Sequence, residues 1–142
     1  LENMMTVLLG GRAAETIVFG HLSTGASDDI GKVTDIARGM VTRYGMDSGL
    51  GHVTYDTDPV GFWGPPAEDS TRRYSEDTAR EIDCAVRKIV DAAYRRAVEI
   101  LGTNRELLEE GAKQLLARET LAEPELKTIF DRIRPLKSPS AD

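Results

Sequence analysis

With 18 basic and 24 acidic side chains in 142 residues, the chain carries a net charge of -6, and no nucleic-acid partner is expected of it. The length suits one domain with an unstapled core, and a single cysteine, Cys84, excludes a disulfide scaffold. No apolar run approaches the ~20 residues that span a bilayer and no signal peptide is visible, so the chain itself is expected to be soluble and to make no membrane contact. It opens at Leu1 inside an apolar helical pattern, without Met or an N-cap, and reads as a piece of a longer protein.

Helical spacing puts Leu1, Met4, Leu8, Gly11, Glu15 and Val18 on one stripe, which predicts a core-facing helix over residues 1–17. Gly10 and Gly11 inside it suggest another element packed closely there. Phe19 to Ser27 reads as a loop. A second helix is expected over 27–44, opened by Ser27 or a neighbour with Asp28 and Asp29 in its first turn, and stopped by Gly45. Its apolar face is Ile30, Val33, Ile36, Ala37, Met40, Val41 and Tyr44.

From Met46 to Arg73 glycine and proline become frequent, and only His52 to Tyr55 alternates like a short strand or hairpin arm. Ser75 with Glu76 and Asp77 starts a long helix over 75–101, with the stripe Ile82, Val86, Ile89, Ala93, Ala97 and Ile100. Thr103 with Glu106 forms a capping box for a helix over 104–117, and a short connection makes these two an antiparallel pair. Thr120 with Glu123 repeats the box before a last helix over 123–132. The fold class is therefore all-α, with a long C-terminal helical hairpin, one short strand or hairpin, and a Gly/Pro loop in the middle. The domain is expected over 1–134, with a disordered tail at 135–142.

Two acids stand out. Glu15 lies on the apolar stripe of its helix, where a carboxylate needs a partner, and Arg12 is one turn away. Asp29 shares a face with Val33, Ile36 and Met40 at a helix N-terminus, whereas Asp28 points away, so the two aspartates are not equivalent. An acid that only stabilises its helix is the plainer alternative for Asp29. His21 and His52 lack an i, i+4 partner and make no metal motif. Cys84, opposite the Ile82 stripe, is expected to be an exposed thiol without a role.

The strings Val7-Leu-Leu-Gly-Gly-Arg-Ala-Ala-Glu15, Ile17-Val-Phe-Gly20 and Ser23-Thr-Gly-Ala-Ser-Asp-Asp-Ile30 occur in order, followed by Ala37-Arg38, Met40-Val41 and Tyr44-Gly-Met46. With Leu50-Gly51, Phe62-Trp-Gly64, Tyr74-Ser75, Thr78-Ala-Arg-Glu-Ile-Asp83 and Glu119-Thr-Leu121, they closely resemble the protease domain of FtsH. That family comprises membrane-anchored, AAA-type ATP-dependent zinc metalloproteases, and the likeness runs to about Ile133.

The resemblance implies a zinc peptidase in which an aspartate matching Asp29 is the third metal ligand, beside two histidines of an H-E-x-x-H helix. Glu15 matches an acid near the zinc, orienting a histidine ligand. Phe62, Trp63 and Gly64 match a segment bordering the substrate cleft, where Trp63 replaces the family's leucine. Also implied for the parent are protein substrates, a hexameric homo-oligomer, ATP bound by a separate ATPase module, and a position on the cytoplasmic face of a membrane, the inner one in bacteria. No H-E-x-x-H occurs in the 142 residues, so no catalytic residue is assigned here. Alone, the chain is expected to be inactive and to hold zinc weakly or not at all. The rival reading is a helical interaction or oligomerisation module related to the peptidase but without activity in its parent.

Overall fold

In a computed structural model, residues 1–21, 23–55 and 74–136 are described. They form six helices: α1 (Glu2–Leu8), α2 (Gly10–Phe19), α3 (Ser27–Thr42), α4 (Glu76–Thr103), α5 (Arg105–Arg118) and α6 (Glu123–Phe130). The all-α class expected from periodicity holds. None of the helices is long and apolar enough to cross a membrane.

α4 is the axis of the molecule, and α1, α2 and α3 all pack on it. The Ser75 hydroxyl accepts the Thr78 N–H at 3.2 Å, and Glu76 and Asp77 occupy the first turn, so the helix starts as its sequence dictates. Ile82, Ala85, Val86, Ala93 and Ala97 are its buried face, and the alanines let neighbouring helices approach. Against them lie Met5, Leu9 and Ala13 from α1, α2 and their junction, and Val33, Ala37, Met40 and Val41 from α3. Two polar links tie these layers: the hydroxyls of Thr16 and Tyr94 meet at 2.8 Å, and Arg38 donates to Asp83 at 3.3 Å.

The first helix departs from expectation twice. It is interrupted at Leu9, although backbone bonds still cross the break from the Leu9 N–H to the Met5 carbonyl and from the Ala13 N–H to the Leu9 carbonyl. Gly10 and Gly11, poor helix formers, follow directly. Among the described residues a Cβ on either glycine would meet nothing within 4 Å, so none of the six helices packs closely there. The inward face is Met5, Leu9 and Ala13, one step round from the expected stripe, while Leu1, Met4 and Val18 are exposed. α1 is apolar on more than one side, and α4 decides which side is covered. Glu15 is consequently a half-buried residue at the edge of the core.

α3 ends at Thr42, two residues short of its expected end, and the chain turns at a left-handed Gly45 (φ 58°), past which the Met46 N–H reaches back to the Met40 carbonyl at 3.0 Å. Tyr44, expected on the apolar face, is exposed. No strand forms among the described residues. His52 to Tyr55 instead folds back onto the α3 terminus, where the Tyr55 N–H and the Thr54 hydroxyl both bond the Thr42 carbonyl. A free helix-end carbonyl supplies the acceptor that a partner strand would have offered.

Neither expected capping box forms as written. α4 continues through Thr103, and Asn104 joins it to α5 without a side-chain cap. The Asn104 amide is turned elsewhere, donating to the Ile100 and Arg134 carbonyls and accepting the Arg134 N–H. At α6 the box is displaced by two residues, with Glu125 accepting the Ala122 N–H at 2.9 Å. α5 and α6 bury no residue. Of the expected tail, Pro135 and Leu136 have no regular structure, and residues 137–142 lie outside the described part.

Candidate functional site

α2 ends in a left-handed Gly20 (φ 68°), which turns the chain toward α3. Arg12 and Glu15, one helical turn apart, converge on Ser23 rather than on each other. Arg12 donates to the Ser23 carbonyl at 2.7 Å, and one Glu15 oxygen accepts the Ser23 N–H at 3.3 Å. The other accepts the Ser23 hydroxyl, whose oxygen in turn accepts the Gly25 N–H at 3.1 Å. These donors hold the Glu15 carboxyl below its ordinary pKa: first the Ser23 hydroxyl, then the Ser23 N–H, with the nearby charges of Arg12 and His21 adding to them. Ala26, buried, anchors the end of the loop, and the Ser27 N–H closes it on the Thr24 carbonyl.

Two residues later the aspartates separate. Asp28 is exposed, whereas Asp29 is half-buried, as the helix wheel requires. Its Oδ1 lies 3.2 Å from the Lys32 ammonium, itself largely exposed. The carboxylate therefore stands in the first turn of α3, at the N-terminal end of the helix.

His21 lies at the edge of this cluster, and the other candidates stay apart from it. His21 stacks on Phe19 with ring centroids 5.8 Å apart. His52 lines a separate groove with Leu1, Glu2, Met46 and Ser48. Cys84 is exposed as expected, but it has a cationic neighbour that its sequence position did not suggest, the Arg87 guanidinium at 3.7 Å. Phe62, Trp63 and Gly64 lie outside the described residues. Among the described residues no three His, Cys, Asp or Glu side chains are grouped as a metal site. Asp29 has the chemistry of one zinc ligand, and the further ligands of a three-residue set would come from outside this group. Sequence reasoning missed Ser23, although a serine just before a helix start, within reach of an inward acid, was a usable signal.

Residues 1–129 match the profile of peptidase family M41, and the chain belongs to that family. It is similar to the ATP-dependent zinc metalloprotease FtsH of Paraburkholderia phymatum, with 47% identity over 135 residues, 94% of this chain and 21% of that protein. The proteins of the same description from Pseudomonas putida and Methylibium petroleiphilum are 46% and 47% identical over 91% and 99% of the chain. The chain thus spans about a fifth of the length of these relatives, 21% and 23% in the last two.

Proposed function

We propose that the chain is the C-terminal part of the peptidase domain of an ATP-dependent zinc metalloendopeptidase acting on protein substrates, with Asp29 as its contribution to the metal. The observation carrying this reading is the asymmetry of the acid pair in a chain of this family: Asp29 is half-buried at the α3 N-terminus and Asp28 is exposed. Zinc, when bound, supplies an acidified water and a Lewis acid for the scissile carbonyl. The work of this chain is to hold one anionic oxygen in a fixed direction and to build part of the cleft wall. Hydrolysis itself needs a general base and histidine ligands from outside these residues, so the chain by itself is inactive. Hexameric assembly, membrane anchoring and ATP use belong to the longer protein under the same reading.

The test is Asp29→Asn against Asp28→Asn in the longer protein, with degradation of an unfolded substrate and ATP turnover followed together. Asparagine keeps the size but removes the charge, so Asp29→Asn is expected to abolish degradation and spare ATP turnover, while Asp28→Asn leaves both intact. Degradation at the unmutated rate by Asp29→Asn, with zinc retained, would make Asp29 a helix-stabilising acid only. The interaction-module alternative wins if the longer protein neither binds zinc nor cleaves unfolded protein.

A further inference from the structure

We propose that Ser23 is the positioning residue for Asp29: gripped by Arg12 and Glu15, it fixes how the chain enters α3 and so the direction in which the Asp29 carboxylate leaves the helix. The functional part of this inference rests on the zinc-ligand reading above.

Ser23 is solvent-exposed, yet its N–H, its carbonyl and its hydroxyl are all engaged by two side chains of α2. A surface serine has water for all three groups, so this arrangement immobilises backbone. The need for it is visible at α3, whose N-cap is Ala26 and which has no side-chain cap. Its first turn takes its order from the preceding loop, through the Thr24 carbonyl and the Gly25 N–H. The room is also used up: a Cβ on Gly25 would sit 3.3 Å from the Ser23 hydroxyl and 3.9 Å from the nearer Glu15 oxygen. Among the described residues the side-chain partner of Asp29 is the flexible, 63% exposed Lys32, which cannot fix a direction. The buried anchor Val33 lies a full turn further on. Ile30, packed on the core with its N–H on the Ala26 carbonyl at 3.0 Å, holds the inner side of the first turn, and the clamp on Ser23 holds the chain that enters it.

Beside its expected role of orienting a histidine, Glu15 thereby gains a role toward the aspartate, since each of its oxygens accepts one bond from Ser23 and keeps a lone pair for another donor. Arg12 serves the same end from the carbonyl side.

The experiment compares Ser23→Ala, Ser23→Thr and Asp29→Asn in the longer protein. Zinc affinity is read by competition with a chelator, and amide hydrogen exchange of residues 24–31 by mass spectrometry. Ser23→Ala is expected to speed exchange at the start of α3 about fivefold, the effect of losing about one hydrogen bond's worth of local order. It should also weaken zinc about 10- to 100-fold, as loss of a ligand's support does. Ser23→Thr keeps the hydroxyl and restores both, while exchange in α4 and ATP turnover do not move in any variant. Unchanged exchange at α3 in Ser23→Ala overturns the proposal, whatever zinc does. Unchanged zinc affinity in Asp29→Asn, beside faster exchange in Ser23→Ala, overturns the ligand reading while the clamp stands.

Discussion

Met5, Val33, Val41 and Ile82, the largest side chains with no exposure, come from α1, α3 and α4, whereas α5 and α6 bury no residue and leave Leu116 85% and Phe130 64% exposed. The first four helices are held by excluded water and close packing. The last two are held by half-buried apolar contact, Ile129 of α6 lying over Gly111 of α5, and by polar contacts: Asn104 to Arg134, Arg132 to Glu110, Arg118 to Glu125. The difference teaches that helical periodicity measures the shape of a helix and not whether anything covers it. α4 and α5 both carry apolar residues at helical spacing, and only α4 has partners along its length.

The largest expected effect contrasts the two regions directly. Ile82→Ala removes side-chain volume from the centre of the packed region and should cost about 2 to 5 kcal/mol in urea unfolding. Leu116→Ala should stay within about 0.5 kcal/mol, as surface changes do. Equal costs for the two would break the comparison.

Next in size is Asn104→Ala, which strips the Arg134 N–H and carbonyl of their Asn104 partner, while the Ile100 carbonyl keeps the backbone N–H of residue 104, and should cost about 1 to 3 kcal/mol locally. Limited proteolysis with trypsin reads it as faster cleavage after Arg132, with α4 still protected. Cleavage inside α4 at the same rate would mean that the two regions unfold together.

Acid and salt separate the regions more finely. Glu15 and Glu110 both titrate below the ordinary 4.5, Glu15 chiefly through the Ser23 hydroxyl and Glu110 chiefly through Arg132. A depressed folded-state pKa gives stability that is present above 4.5 and fades as pH falls through the lowered value. The stability lost on Glu15→Gln, or on Glu110→Gln, should therefore shrink as the medium is acidified below 4.5. Molar salt at neutral pH should weaken the ionic Glu110 contact more than the Glu15 bond to a hydroxyl. Equal salt sensitivity would place both acids in the same kind of site. The smallest effect belongs to the exposed Arg105–Glu109 pair, 2.9 Å apart, where Arg105→Ala should change stability by less than about 1 kcal/mol.

Much of this was legible in the residues. Ser75 announced α4, the Ile82 stripe announced its buried face, and the wheel separated Asp29 from Asp28 before any coordinates. The misses share a physical cause. α1 offers more than one apolar side, so its sequence does not choose between Met4 and Met5; contact with α4 does. Thr103 and Thr120 had capping partners at the right spacing, but Asn104 is drawn to Arg134, 30 residues away, and Ala122 takes the N-cap of α6. Ser23 escaped notice for the same reason, since its importance comes from two side chains on another helix. The expected strand at His52 to Tyr55 lost to a vacant carbonyl at the end of α3.

α4 has one more consequence. Its 28 residues make a rod of about 42 Å without an internal proline, and its fully buried positions stop at Ala97. Past that point only half-buried side chains, Val98 and Leu101, still touch the core, so the helix is gripped more lightly toward its end, like a mast stepped in a hull. Because α5 follows after the single residue Asn104, the heading of the C-terminal pair is set by the stepped length of that mast, from Ile82 up to Ala97. A volume change deep in the core would thus re-aim a surface it never touches.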